Sequence, residues 1–243
     1  MAHFVCATTP LSALGKLLSI TLRDGERVGD KLELLSVFVT VTHVERAAVL
    51  DRFLPRYKEI VGEDIWQRAE TLYRSSKPLR WKVSYRGRLV GAGPALEEDQ
   101  LEDISRALSR TPGANTLSFS FYRPSDHVRA RALPASMPCP LTGDFKFRRG
   151  QLHLNVLFRT HDVYRLGFPD LYFMRLLQRE ILARVKSLAP NRFRGARPGE
   201  LNVFFSRVFI FRSHRPNAER LVRVIRETES SEANVDGTVN EGH

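Results

Sequence analysis

Cys139 stands between Pro138 and Pro140, and an Arg159-Thr160-His161-Asp162 tetrad and then Asp170 lie downstream of it. A thiol attacks as its thiolate, and a nearby cation stabilises that form. A Pro-Cys-Pro loop beside an arginine and a carboxylate therefore has the parts of an activated nucleophile. The alternative for any single cysteine is a buried, inert side chain. Which of the two holds depends on the elements that position the loop.

Phe145 and Phe147 alternate into Arg149-Gly150, and Leu152, Leu154, Val156 and Phe158 alternate out of it, the signature of a hairpin. A loop over 159–169 is expected next. A helix over 171–188 comes after it, with Met174, Leu177, Ile181, Leu182 and Val185 on one side. Upstream, Leu11, Leu14, Leu17 and Leu18 predict an amphipathic helix over 11–20. Leu35, Val37, Val39 and Val41 predict a strand covered on both faces, because Phe38 points the other way. Residues 46–57 and 64–74 carry helical spacing, and 81–89 is strand-like around Tyr85-Arg86-Gly87-Arg88. A helix over 96–108 has Leu101, Ile104 and Leu108 on one face and Glu97, Glu98 and Asp99 in its first turn, where the helix dipole favours acids. Residues 117–122 form a strand that stops at Pro124. Residues 191–200 read as a loop, and 201–211, with Phe204, Phe205, Phe209 and Phe211, as a central buried strand. Strands and helices mix without regular βαβ alternation, so the fold class is α+β.

The chain of 243 residues with 42% apolar content is long enough to bury a substantial core. Residues 1–226 are expected as a single domain. Residues 227–243, rich in Glu, Ser, Asn and Gly, are expected as a disordered tail. No run approaches the roughly 18 apolar residues of a membrane helix, and no secretory leader pattern opens the chain, so a cytoplasmic protein is expected. Cys6 and Cys139 make neither a disulfide framework nor a metal cluster. The net charge of +11 points to an anionic partner, or to a solvated arginine-rich surface.

The segment from about 98 to 214 resembles the thymidylate synthase and deoxycytidylate hydroxymethylase family. The likeness runs through Asp99-Gln100-Leu101 opening a helix, the Thr111-Pro112 turn, the strand from Ser118, Pro138-Cys139, the hairpin, the Arg159 tetrad and Pro169-Asp170 at a long helix. Arg159 lies 20 positions after Cys139, Asp162 23 and Asp170 31, the family's spacing without a gap. Glu26-Arg27-Val28-Gly29 with Glu33-Leu34-Leu35 is similar to the family's early arginine and first strand, and Tyr85-Arg86-Gly87-Arg88-Leu89 to its Tyr-Gly segment.

The resemblance implies a layered fold with a mixed sheet packed with helices, and a homodimer formed through the sheet face. It implies one-carbon transfer, methylation or hydroxymethylation, to C5 of a pyrimidine nucleotide or derivative, with 5,10-methylenetetrahydrofolate as cofactor. Cys139 would add to C6, and Tyr85 would join the catalytic set. Arg27, Arg159 and Thr160 would hold the phosphate, and Asp162 the pyrimidine face or folate side. Glu59 is the candidate catalytic glutamate, with Glu63 second. At Asp170 the synthases carry asparagine and the hydroxymethylases aspartate, which favours a cytosine-type substrate; a helix N-cap is the alternative.

The chain also departs from the family. Asn115-Thr116 replaces an arginine pair that the family donates across the dimer to the phosphate, Phe209 and Phe211 replace sugar-binding His and Tyr, and Pro140 comes directly after the cysteine. These losses leave a second reading open, a catalytically silent binding or dimerisation relative. The charge leaves a third, a nucleic-acid-binding protein, for which no motif is present and no nucleic acid is expected as partner.

Overall fold

In the computed structural model, which describes residues 2–77, 79, 84–91, 99–115, 117–132 and 137–237, one eight-stranded sheet organises the chain. In order the elements are β1 (His3–Ala7), α1 (Pro10–Asp24), β2 (Glu26–Val28), β3 (Lys31–Val41), α2 (Ala47–Val61), α3 (Glu63–Arg74), α4 (Tyr85–Leu89), α5 (Gln100–Arg110), β4 (Ser118–Ser120), α6 (Ser125–Ala132), β5 (Pro140–Arg148), β6 (Gln151–Phe158), β7 (His161–Asp162), α7 (Val163–Leu188), β8 (Arg197–Phe211) and α8 (Arg215–Gly237). The strand order is β1-β3-β8-β6-β5-β4, with β2 on β3 and β7 on β8. Pairs β1/β3 and β6/β8 are parallel, whereas β3/β8, β5/β6 and β4/β5 are antiparallel. This is the expected α+β class, a mixed sheet packed with helices, compatible with a thymidylate synthase-like fold.

Helices α1 and α7 lie on one face of the sheet, and α2, α3, α5 and α8 pack outside them. Leu11, Leu14, Leu17 and Leu18 of α1 are buried, as their spacing predicts, and Thr9 caps the helix by accepting from Ser12 N. The two long inner helices come close at Gly167, where a Cβ would stand 2.5 Å from Leu14 Cδ1. Arg175 of α7 is buried and donates to the carbonyls of Val41, His43 and Gly199, which ties the helix to the ends of β3 and β8; its burial lowers the guanidinium pKa to about 10.

The other sheet face is open. Leu34, Val37, Val39 and Val41 point inward, but Ser36 adopts φ 55°, and the alternation changes phase there, leaving Leu35 62% exposed. Phe4 and Phe38 are 75% and 41% exposed and stack at 5.1 Å, with Phe204 next to Phe38 at 4.6 Å. The expected cover on both sides of β3 is thus missing within one chain, although β8 is central and Phe205 is buried.

Three further expectations are corrected. Residues 85–89 form a helical turn, not a strand, because the Ser84 hydroxyl accepts from Gly87 N and starts it. The long helix begins at Val163, so 163–170 are not loop; Pro169 lies inside it, and the acceptor it cannot serve, Arg165 O, takes the Tyr57 hydroxyl at 2.6 Å. Helix α8 continues past Glu227, where the tail was expected to begin, held there by an Arg56–Glu227 pair at 2.7 Å and the buried Thr228. Trp81, Leu96, Glu97, Glu98, Thr116 and residues 238–243 lie outside the described residues.

Candidate active site

The spacing between Cys139 and Arg159 becomes geometry through the hairpin. Arg149 and Gly150 take φ of 51° and 73°, the left-handed pair of a tight two-residue turn. Register then sets Pro140 opposite Phe158. One residue beyond, Arg159 N donates to Cys139 O at 2.8 Å, and Arg159 Nε reaches Pro138 O at 3.5 Å. The expected cation therefore stands on the loop that carries the half-buried thiol.

Behind the thiol is a chain of buried polar groups. The Tyr85 phenol oxygen accepts from Cys139 N at 3.4 Å, and the Tyr85 ring lies edge-on to Tyr73 at 5.0 Å. Tyr73 donates to Asp170 Oδ1 at 2.7 Å. On the far side, His161 Nδ1 is 3.1 Å from Asp170 Oδ2, off the line of a hydrogen bond. Neither His161 nitrogen nor Asp170 Oδ2 has a hydrogen-bond partner among the described residues. The imidazole stacks on Phe205 at 4.2 Å and meets Phe158 edge-on at 5.8 Å. Burial pushes both phenols well above their ordinary range. The negative charges of Cys139 and Asp170 push Tyr85 the same way, as does that of Asp170 on Tyr73.

The other expected residues fall in different places. Asp162 is the N-cap of α7, accepting from Arg165 N at 3.1 Å and from Arg165 Nε at 2.6 Å. Asp170 is inside α7 and is not an N-cap. Thr160 accepts from Arg207 Nε at 3.2 Å, and Arg207 also pairs with Glu33 at 3.4 Å. Arg27 is exposed on β2 opposite Leu32, at the sheet end that carries Phe209 and Phe211, and no contact among the described residues ties it to Cys139. Glu59 is on the outer side of α2, since Val49, Phe53, Tyr57 and Ile60 take the buried side; it pairs with Arg220 at 2.6 Å. Glu63 opens α3 beside Lys58 at 3.3 Å. Neither glutamate reaches the Cys139 cluster. Asn115 is exposed. Phe209 and Phe211 are flanked by cations: Lys31 lies 5.3 and 5.2 Å from the two rings, Arg207 5.3 Å from Phe209 and Arg165 5.2 Å from Phe211.

Tyr73, His161 and Arg207 carry no role in the sequence reading. A signal existed for Tyr73, which shares the stripe of α3 with buried Trp66 and Ala69 and so brings a hydroxyl into a core position. Arg207 gave none, because its contact with Thr160 is made across two strands.

A cavity of about 330 Å³ borders the same tyrosines, lined by Tyr73, Tyr85, Phe121, Phe173, Arg74 and Arg86 among others. Among the described residues, no group of three or more His, Cys, Asp or Glu could hold a metal ion, and no helix is long and apolar enough to cross a membrane.

A half-buried thiol, a cation on the same loop and a buried carboxylate with phenol neighbours thus come together at one end of the hairpin. No family model matches the chain. Two curated proteins, each named "Putative thymidylate synthase", are similar to it. One, from Methanothermobacter thermautotrophicus, is 22% identical over 223 residues, which is 86% of this chain and 93% of that protein. The other, from Methanosarcina acetivorans, is 29% identical over 89 residues, 37% of this chain and 39% of that protein. These distant relatives support a thymidylate synthase-like family.

Proposed function

We propose that the chain catalyses folate-dependent one-carbon transfer, methylation or hydroxymethylation, to C5 of a cytosine-type pyrimidine nucleotide or derivative. The Cys139 thiolate attacks C6 and makes C5 the nucleophilic carbon. The observation that carries this reading is the meeting of Cys139, Arg159 and Tyr85 at one loop with Asp170 buried behind them. Arg159, and Arg27 with Thr160 at the same end of the sheet, serve the phosphate. Asp170 faces the N3/N4 edge of the base, where a carboxyl group complements an amino donor.

Around the 330 Å³ cavity, aromatic walls at Tyr73, Tyr85, Phe121 and Phe173 suit the flat ring of the cofactor implied, and Arg74 suits an anionic tail, whereas Arg86 is already engaged by Glu180 of the same lining at 2.6 and 2.8 Å. When bound, 5,10-methylenetetrahydrofolate supplies the one-carbon unit. Asp162, held by Arg165, keeps the start of α7 in place and so positions His161 and Asp170.

A second copy is the proposed occupant of the open sheet face. Phe4, Phe38 and Phe204 form an aromatic row there, bordered by a hydrogen-bonded ladder from Thr40 through Asn202 and Asn155 to Asp144. Sedimentation at micromolar concentration should give a dimer.

Tritium release from C5 of cytidine, deoxycytidine and deoxyuridine monophosphates tests the activity. Release by the wild type that disappears in Cys139→Ala supports the reading. No release from any of them leaves the silent binding reading standing.

A further inference from the structure

We infer that the outer edge of β1 is a docking site for an extended, acidic segment of a partner protein. The segment adds to the sheet as a further strand, with acids on its helix side and aromatic residues on the open side.

Strand β1 ends the sheet, and among the described residues no strand pairs with its outer edge. Successive residues of a strand turn their backbone groups to opposite edges. Ala7 O accepts from Thr42 N at 3.1 Å, so Ala7 faces β3, whereas Cys6 O accepts from Lys16 Nζ at 2.6 Å, so Cys6 faces the free edge. Phe4, two residues back, faces the same way. Phe4 N, Phe4 O and Cys6 N are therefore placed to pair with an incoming main chain.

The two sides of the edge specify the side chains. On the open side, rings stack in register across three strands, Phe204 opposite Phe38 at 4.6 Å and Phe38 opposite Phe4 at 5.1 Å. The row stops at Phe4, 75% exposed, and its next position falls on an added strand, where an aromatic residue would continue the stack. On the helix side a groove of about 420 Å³ lies between β1, α1 and α8. It touches Phe4, Val5 and Cys6 in succession, residues that point to opposite faces, so it follows the edge of the strand. Lys16, Arg23 and Arg226 border it against one acid, Glu229. Arg23 is held by Asp24, but Lys16 holds only the Cys6 carbonyl, and Arg226 is exposed with no ion pair among the described residues. A lysine at a sheet edge turns neutral strands away; a carboxylate on the incoming strand gives that ammonium a stronger acceptor than the carbonyl. A second β1 would bring the same cations face to face, so charge favours an acidic partner over a second copy. Only Phe4 is common to this groove and to the sheet face proposed for dimerisation.

The probe is a heptapeptide of alternating glutamate and tyrosine, blocked at both ends and titrated by calorimetry into the full-length protein, with amide hydrogen exchange measured in its presence and absence. Saturable binding is expected, with exchange slowed at Phe4 and Cys6 and unchanged at Val5, whose N–H already faces β3. Affinity should fall by roughly tenfold or more in the double variant Lys16→Glu, Arg226→Glu, in Phe4→Ser, and for the N-methylated peptide, which cannot donate to the edge. All three side chains are exposed, and circular dichroism checks that the variants fold. No saturable binding up to about 1 mM would overturn the inference. So would equal binding of a peptide with its glutamates and tyrosines in separate blocks, or of an oligothymidylate of the same charge. Affinity unchanged in the variants, or exchange unchanged at Phe4 and Cys6, has the same meaning. Slow exchange at those two amides in the peptide-free protein, deepening as protein concentration rises, would put a second copy at the edge and overturn it as well.

Discussion

The two ends of the candidate site are built differently. At the base end, Cys139, Tyr85, Tyr73, Asp170 and His161 come from a loop, α4, α3, α7 and β7, and all but the thiol are largely buried, within contact of one another. At the phosphate end, Arg27 is exposed, Arg207 already shares Thr160 and Glu33, and the rings of Phe209 and Phe211 are covered by Lys31, Arg165 and Arg207. The end proposed for the base is a connected, largely buried set of polar groups. The end proposed for the phosphate is a set of cations of which Arg207, Lys31 and Arg165 already have other partners, and the apolar rings of Phe209 and Phe211 stand where the resemblance places sugar contacts. Affinity and selectivity should therefore reside in the pyrimidine, and the phosphate should contribute less than a fully desolvated arginine cluster would.

If that contrast is right, the largest effect is at the thiol. Cys139→Ala should reduce turnover by at least roughly 1,000-fold with the thermal midpoint little changed. Steady-state assays beside calorimetry would show it, and a surviving rate would break the contrast at its strongest point. Tyr85→Phe comes next. Loss of the phenol oxygen at Cys139 N should lower kcat by roughly 10–100-fold, about 1.5–3 kcal/mol, with KM changed less than threefold, the scale of a hydrogen bond lost beside a charged group.

Stability against pH sharpens the description of the buried end. Tyr57, Tyr73 and Tyr85 all have folded pKa values raised above the ordinary phenol value, first by burial. Their contribution to stability is complete below pH 10 and is lost as pH rises toward the folded values, because the unfolded phenols ionise first. Melts between pH 8 and 11 should show a falling midpoint, about 2–4 °C per kcal/mol lost, with a shallower fall in Tyr73→Phe. Arg175, with its lowered pKa, works in the opposite sense in that range, so the comparison with the variant is what isolates the phenol. The smallest effect is at the phosphate end: Arg207→Ala should weaken a pyrimidine monophosphate by roughly three- to tenfold, about 1 kcal/mol, and leave the unphosphorylated nucleoside unchanged in titration calorimetry.

Parts of this were legible in the sequence. Alternation over β5 and β6 and the Arg149-Gly150 turn define the hairpin, and the hairpin register is what converts a spacing of 20 residues into contact between Arg159 and Cys139. The start of α7 was not legible. Pro169-Asp170 imitates a helix entrance, yet Asp162 supplies the cap, and the acceptor freed by the proline is satisfied from α2 by Tyr57. Helical turn α4 was hidden because a side-chain cap at Ser84, not periodicity, creates it. The His161–Asp170 approach and the Arg207–Thr160 bond join residues from different elements, and no local pattern encodes them.

Incubation with a 5-fluorocytosine nucleotide and methylenetetrahydrofolate is the most direct test of covalent addition at this loop, since fluorine at C5 cannot leave as a proton and the adduct is retained. Intact mass spectrometry should show the protein gaining the mass of nucleotide plus one-carbon carrier, and peptide mapping should place it on Cys139. Unmodified protein, or an adduct at Cys6, would contradict the account.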